Sequence, residues 1–96
     1  MTAQSAIGDE QAYLLDLGRQ LRAARRKLGL SLKLVEVMTD GEFKASALGA
    51  YERAQRVISV ARLHRLATVY QLSVDRLLPA EEVVDLREPA EQRVAT

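Results

Sequence analysis

Arg25 stands inside an apolar stripe. Leu14, Leu17, Leu21, Ala24 and Leu28 recur at steps of three and four, the spacing that gathers side chains on one face of an α-helix. Arg25 follows Leu21 by four and precedes Leu28 by three. A helix from about Glu10 to Leu28 would therefore carry a guanidinium on its buried side. A charge taken out of water alone costs several kcal/mol in practice. A fold that buries Arg25 must then bring a carboxylate to the first helix from elsewhere in the sequence.

Glu52 is the candidate. It lies in ALGAYERAQR (47–56), in a predicted helix over 44–53. With Leu48 at the centre of the inner face, Tyr51 and Glu52 fall within about 60° of it. Ser46, Ala50 and Arg53 take the opposite face, flanked by Ala47 and Gly49. Arg25 and Glu52 are expected to meet in a planar, bidentate pair that locks this helix onto the first. The alternative has both side chains bending outward to water.

The remaining punctuation predicts an all-α chain of five helices. Gly29 ends the first, with Leu30 as the apolar residue of a C-terminal cap. Ser31 caps the second, about Leu32 to Thr39, with Leu34, Val35 and Met38 inward and Lys33 outward. Thr39-Asp40-Gly41 reads as a turn. Ser59 caps the fourth, which runs to about Gln71 with Val60, Leu63, Leu66, Ala67 and Tyr70 inside. Ser73 caps a short fifth, whose Leu77 and Leu78 close the core before Pro79 stops it. One domain over 10–79 results, between a flexible N-terminus (1–9) and a charged tail (80–96). The tail reads as largely mobile, with Val83, Val84 and Leu86 as a candidate dimerisation segment.

Composition removes several classes of function. The chain has no cysteine, so it has neither a disulfide framework nor a thiolate zinc site. No apolar run reaches the length of a membrane span, and MTAQSAIGDE lacks the regions of a signal peptide, which points to the cytoplasm. His64, the one histidine, sits amid Arg62 and Arg65 and reads as structural rather than catalytic. Neither a phosphate-cradling glycine loop nor a histidine–carboxylate cluster is present. No enzyme activity, metal or cofactor is expected, and Glu81-Glu82 reads as solvated.

The net charge of +1 conceals a pattern. Residues 19–65 hold eleven bases against four acids, and acids predominate on both sides. Such asymmetry points to a localised anion-binding surface; its plainer reading is a solvated charged surface. A helix with a small-residue outer face suits close packing on a protein, or the major groove of DNA, where alanine meets thymine methyls and serine bonds either base type. Lys33, Lys44, Arg53 and Arg56 lie near this helix and favour DNA, since phosphates need such donors. Mid-helix Gly49 would be explained by close approach to DNA or by contact with the second helix.

The ordered set LGRQLRAARRKLGLS (17–31), YERAQR (51–56) and LHRLATVYQLSVDRLLP (63–79) resembles the five-helix helix-turn-helix domain of the Xre/phage-repressor family. The stretch GLSLKLVEVMTDGEFKASALGAYERAQRVISVARL resembles more closely the N-terminal DNA-binding domain of an actinobacterial developmental repressor. The resemblance covers about residues 14–79. It implies a sequence-specific transcriptional regulator, expected to repress, whose third helix enters the major groove of double-stranded DNA. The family's base-reading positions fall on Ala45, Ser46 and Ala50, with Lys44 and Arg53 beside them. Its phosphate contacts fall on Ser31, Lys33, Arg53 and Arg56, and its internal arginine–glutamate pair on Arg25 and Glu52. Since one such helix reads only a few base pairs, a homodimer on a two-fold site in the nucleoid is expected, with contacts from the fourth and fifth helices and the Val83–Leu86 tail.

Departures from the family pattern are visible. Leu32 replaces a DNA-contacting glutamine, Glu36 a small residue, and Ala54 a glycine whose loss could bend the following loop differently. The turn between the second and third helices is two residues longer than in phage repressors. Phe43 is expected to pack that turn, the alternative being an exposed wedge at the DNA. The resembling repressor's control by cyclic di-GMP, through a second domain, is not carried over. The rival reading is a protein-binding module on the same fold, an antitoxin or an adaptor.

Overall fold

The computed structural model describes residues 2–79, with side chains from residue 9 onward. The tail, with its candidate dimerisation segment and Glu81-Glu82, lies outside the described residues. Helices α1 (Thr2–Lys27), α2 (Leu32–Met38), α3 (Ala45–Glu52) and α4 (Val60–Val69) follow in order, and a 3-10 turn covers Val74–Arg76. Among the described residues there is no strand.

Two expectations about element number and extent are corrected. The first helix starts at Thr2 rather than near Glu10. Residues 2–9 contain no proline, and their one glycine, Gly8, weakens a helix by only about 1 kcal/mol relative to alanine. The fifth helix is instead a three-residue 3-10 turn, leaving four α-helices among the described residues. Pro79 offers no N–H and disfavours helix in the residue before it. With Ser73 as the cap on the other side, only one tight turn fits, and 3-10 geometry suits such short pieces.

The expected stops and starts are found elsewhere. Gly29 takes φ +72°, and the Leu30 N–H reaches back to the Arg25 carbonyl at 3.2 Å, closing α1. Ser31 Oγ accepts the Leu34 N–H at 3.0 Å and Ser59 Oγ the Arg62 N–H at 3.2 Å. Both serines thereby cap their helices.

The core joins Leu17 and Leu21 of α1, Val35 of α2, Leu48 and Tyr51 of α3, and Leu63 and Leu66 of α4. Phe43 seals the α2–α3 turn and is fully buried, so it packs as expected. Helix α3 is central: α1 and α2 both pack against it.

Some inward assignments are wrong. Leu34 and Met38 are exposed, and so is Val37. The inner face of α2 is instead Leu32, Val35, Glu36 and Thr39, all buried or half-buried and spaced at three and four. Two of these are polar, and both serve the following turn. Thr39 Oγ1 donates to the Val35 carbonyl at 2.8 Å and accepts the Phe43 N–H at 3.2 Å. The stripe of α4 also overruns the core, since Val60, its first residue, is exposed. Leu28 and Leu78 are exposed too, so of the two expected leucines only Leu77 is buried, with Pro79 buried after it.

Candidate functional site

The predicted partners meet. Arg25 Nε donates to Glu52 Oε2 at 2.7 Å, and Nη2 donates to Oε1 at 2.9 Å. The third nitrogen, Nη1, donates to the Leu30 carbonyl at 2.8 Å, across the end of α1. Exposures of 11% and 7% put the pair largely out of water, where such geometry is needed to offset desolvation. The bond to Glu52 raises the Arg25 pKa above its ordinary value. Tyr70 packs nearby with its hydroxyl buried and without a hydrogen-bond partner among the described residues. Burial, aided by the Glu52 charge, pushes its pKa up to about 12.

A second contact fixes the same end of α3. A Cβ added to Gly18 would lie 2.3 Å from the Glu52 carbonyl oxygen and 3.0 Å from that of Tyr51. Backbone meets backbone there, so only glycine fits. The sequence did carry the signal. Gly18 sits four residues after Leu14 and three before Leu21, a mid-helix glycine on the buried face.

The other end of α3 is held from α2. Lys44 is its N-cap but makes no side-chain capping bond. Glu36 supplies that bond, its Oε1 accepting the Ala45 N–H at 2.9 Å. An N–H left unpaired by the helix is satisfied by a negative charge at the positive end of the dipole. Lys33 Nζ lies 3.8 Å from the second oxygen. The Ala45 bond first, then Lys33 and Lys44, hold the Glu36 carboxyl below the ordinary carboxylate range.

The α2–α3 turn is strapped to α4. The Arg62 guanidinium stacks on the Phe43 ring at 4.5 Å and donates to the Glu42 carbonyl at 3.2 Å and to the Tyr51 hydroxyl at 3.4 Å. Arg65 Nε reaches both Glu42 carboxylate oxygens, at 2.9 and 3.1 Å. With Arg25, three of the bases in the positive middle segment therefore serve the fold. Exposed His64 sits between them in sequence on the same helix and takes part in none of the strap's hydrogen bonds.

The outer surface of α3 is narrower than expected. Ser46 and Arg53 are exposed, Ala45 and Ala50 half-buried, and Ala47 and Gly49 buried. Arg53 follows the helix as its C-cap, and its Nε donates to Gln55 Oε1 at 3.1 Å. A Cβ on Gly49 would lie 2.8 Å from Arg53 Nη1 and 3.5 Å from Leu32 Cδ1. An added side chain would displace only the flexible end of the arginine lying over it, since the Leu32 distance is an ordinary contact. The Leu32 contact also sets the start of α2, with exposed Ser31 and Lys33, beside the middle of α3. Lys44 and Arg56 are exposed at its two ends, Arg56 standing 5.9 Å from the Tyr51 ring centroid. Ala54 takes φ +59°, so alanine here occupies the left-handed backbone that glycine favours.

Among the described residues, no cluster of ligand side chains could hold a metal ion, and no helix is long and apolar enough to cross a membrane.

The helix-turn-helix domain family matches residues 16–80. Among solved structures, the crystal structure of the DNA-binding domain of BldD aligns with a TM-score of 0.70 at 45% identity, over 72% of this chain and 97% of that one. The BldD DNA-binding domain of S. venezulae gives 0.69 at 46%, over 71% and 99%. No curated protein matches. The likeness carried by 17–31, 51–56 and 63–79 is therefore found in the fold as well.

Proposed function

Since the chain belongs to the helix-turn-helix domain family, we propose that it is a sequence-specific DNA-binding regulator of transcription that acts without chemistry. One observation carries the reading. Helix α3 is fixed on its inner side by Arg25–Glu52, while its outer side presents Ser46 and Arg53 among exposed Lys33, Lys44 and Arg56. The similar solved domains bind DNA by description, which supports the same role.

In this reading α3 enters the major groove. Ser46 bonds a base edge, Ala45 and Ala50 allow close approach, and Lys44 and Arg53 reach bases or phosphates at the two ends. Ser31, Lys33 and Arg56 hold the backbone and set register. So few reading side chains specify only a few base pairs. The regulator therefore acts as a homodimer on half-sites about one helical turn apart. It represses in the nucleoid by occupying its operator.

Gel-shift titration over a salt series tests this. Affinity should fall steeply as salt rises. Arg53→Ala should cost about tenfold on the specific site, while His64→Ala stays within about twofold. Absent or salt-insensitive binding to genomic DNA would sink the proposal. One observation favours a protein-binding module instead: the exposed face of Leu34, Val37 and Met38 on α2. A protein partner retained in pull-down, with no DNA retained, would support that role.

A further inference from the structure

Glu36 is an acid set among the bases proposed to meet DNA. Lys33 lies 3.8 Å from its carboxylate, and Lys44 is close enough to bias its ionisation. Near phosphates this charge is unfavourable for binding of any sequence. Its hydrogen bond explains what it does there. Lys44 gives no capping bond, and Glu36 Oε1 holds the Ala45 N–H at 2.9 Å. That bond joins α2 to the turn of α3 that carries Ala45 and Ser46, two of the residues proposed to meet bases. The opposite end of α3 is fixed from α1. Glu36 thus governs the part of α3 that Arg25–Glu52 does not reach.

Resting on the DNA-binding reading, we propose that Glu36 is a positioning residue for base recognition. Its acceptor oxygen sets where the first turn of α3 lies against α2, and so where Ser46 meets a base edge. Its charge weakens binding to all sequences alike. Acceptor and charge are separable. Glutamine keeps an acceptor oxygen at the same reach and loses the charge, whereas alanine loses both.

The experiment uses the full chain and two duplexes: one selected by the wild type from a random library, and a shuffled duplex of equal length and composition. Glu36→Gln should bind both tighter, by about two- to fivefold, with their affinity ratio unchanged. Glu36→Ala should show the same gain on the shuffled duplex but lose about tenfold in the ratio. Titrations are run where circular dichroism shows every variant folded. A purely structural role would move both affinities together, and an unchanged ratio in Glu36→Ala overturns the proposal. Loss of the ratio in Glu36→Gln overturns it too, because the acceptor is retained there. A wild type that selects no sequence overturns the DNA-binding reading itself, and the role of Glu36 with it.

Discussion

The two ends of α3 are held by different means. At the C-terminal end, Glu52 forms a bidentate pair with Arg25 at 7% and 11% exposure, and the α1 backbone at Gly18 touches the Glu52 carbonyl region. At the N-terminal end, one half-buried carboxylate from α2 holds one N–H, and the turn before it is tied to α4 by the exposed Arg65–Glu42 pair and by Arg62 on Phe43. Low dielectric and close backbone packing make the first attachment intolerant of change. The second stays near water and can yield. The C-terminal end is the pivot of α3, and the N-terminal end is the part whose aim is adjusted.

This contrast can be broken by mutation. Glu52→Gln should destabilise most, by about 3 kcal/mol, because it leaves Arg25 without its counter-charge. Urea unfolding measures it, and a loss no larger than that of Glu36→Gln would erase the distinction between the ends. Gly18→Ala should follow, costing about 2 kcal/mol by forcing α1 away from α3. A wild-type midpoint for this variant would show that the two backbones are not in contact. Ala54→Gly, just beyond the pivot, should stabilise by about 1 kcal/mol through relief of its positive φ. No gain in melting temperature would mean that this cap carries no strain.

Glu36→Gln should move stability least, and with a distinct acid dependence. The Glu36 pKa is lowered in the fold, so its stabilisation is present above the unfolded value and lost as pH falls through the folded one. As pH falls below about 5 and through the ordinary glutamate range, the wild type should lose more stability than Glu36→Gln. Parallel losses would remove the charge from the account of the N-terminal end.

The pivot was legible because its residues violate a pattern. Arg25 and Glu52 are charges on apolar faces, and periodicity alone exposes such violations. The caps at Ser31 and Ser59 were legible for a similar reason, since they act within a few residues of themselves. The face of α2 was misread because it buries Glu36 and Thr39 in place of Leu34 and Met38. Those polar groups are satisfied by backbone of the turn and of α3, whose position no seven-residue pattern encodes. Arg62 was missed likewise: a cation stacked on a buried ring looks in sequence like any surface base. Gly18 carried a readable signal, but its need appears only once α3 is placed against α1.

Amide chemical-shift mapping tests the central claim most directly. The full chain would be titrated with its selected duplex. The largest shifts are expected at Ser31–Lys33 and from Lys44 to Arg56, the start of α2 and the outer side of α3. Shifts centred instead on Ala24, Leu72 and Arg76, in the groove between α1 and the segment after α4, with α3 unmoved, would contradict it.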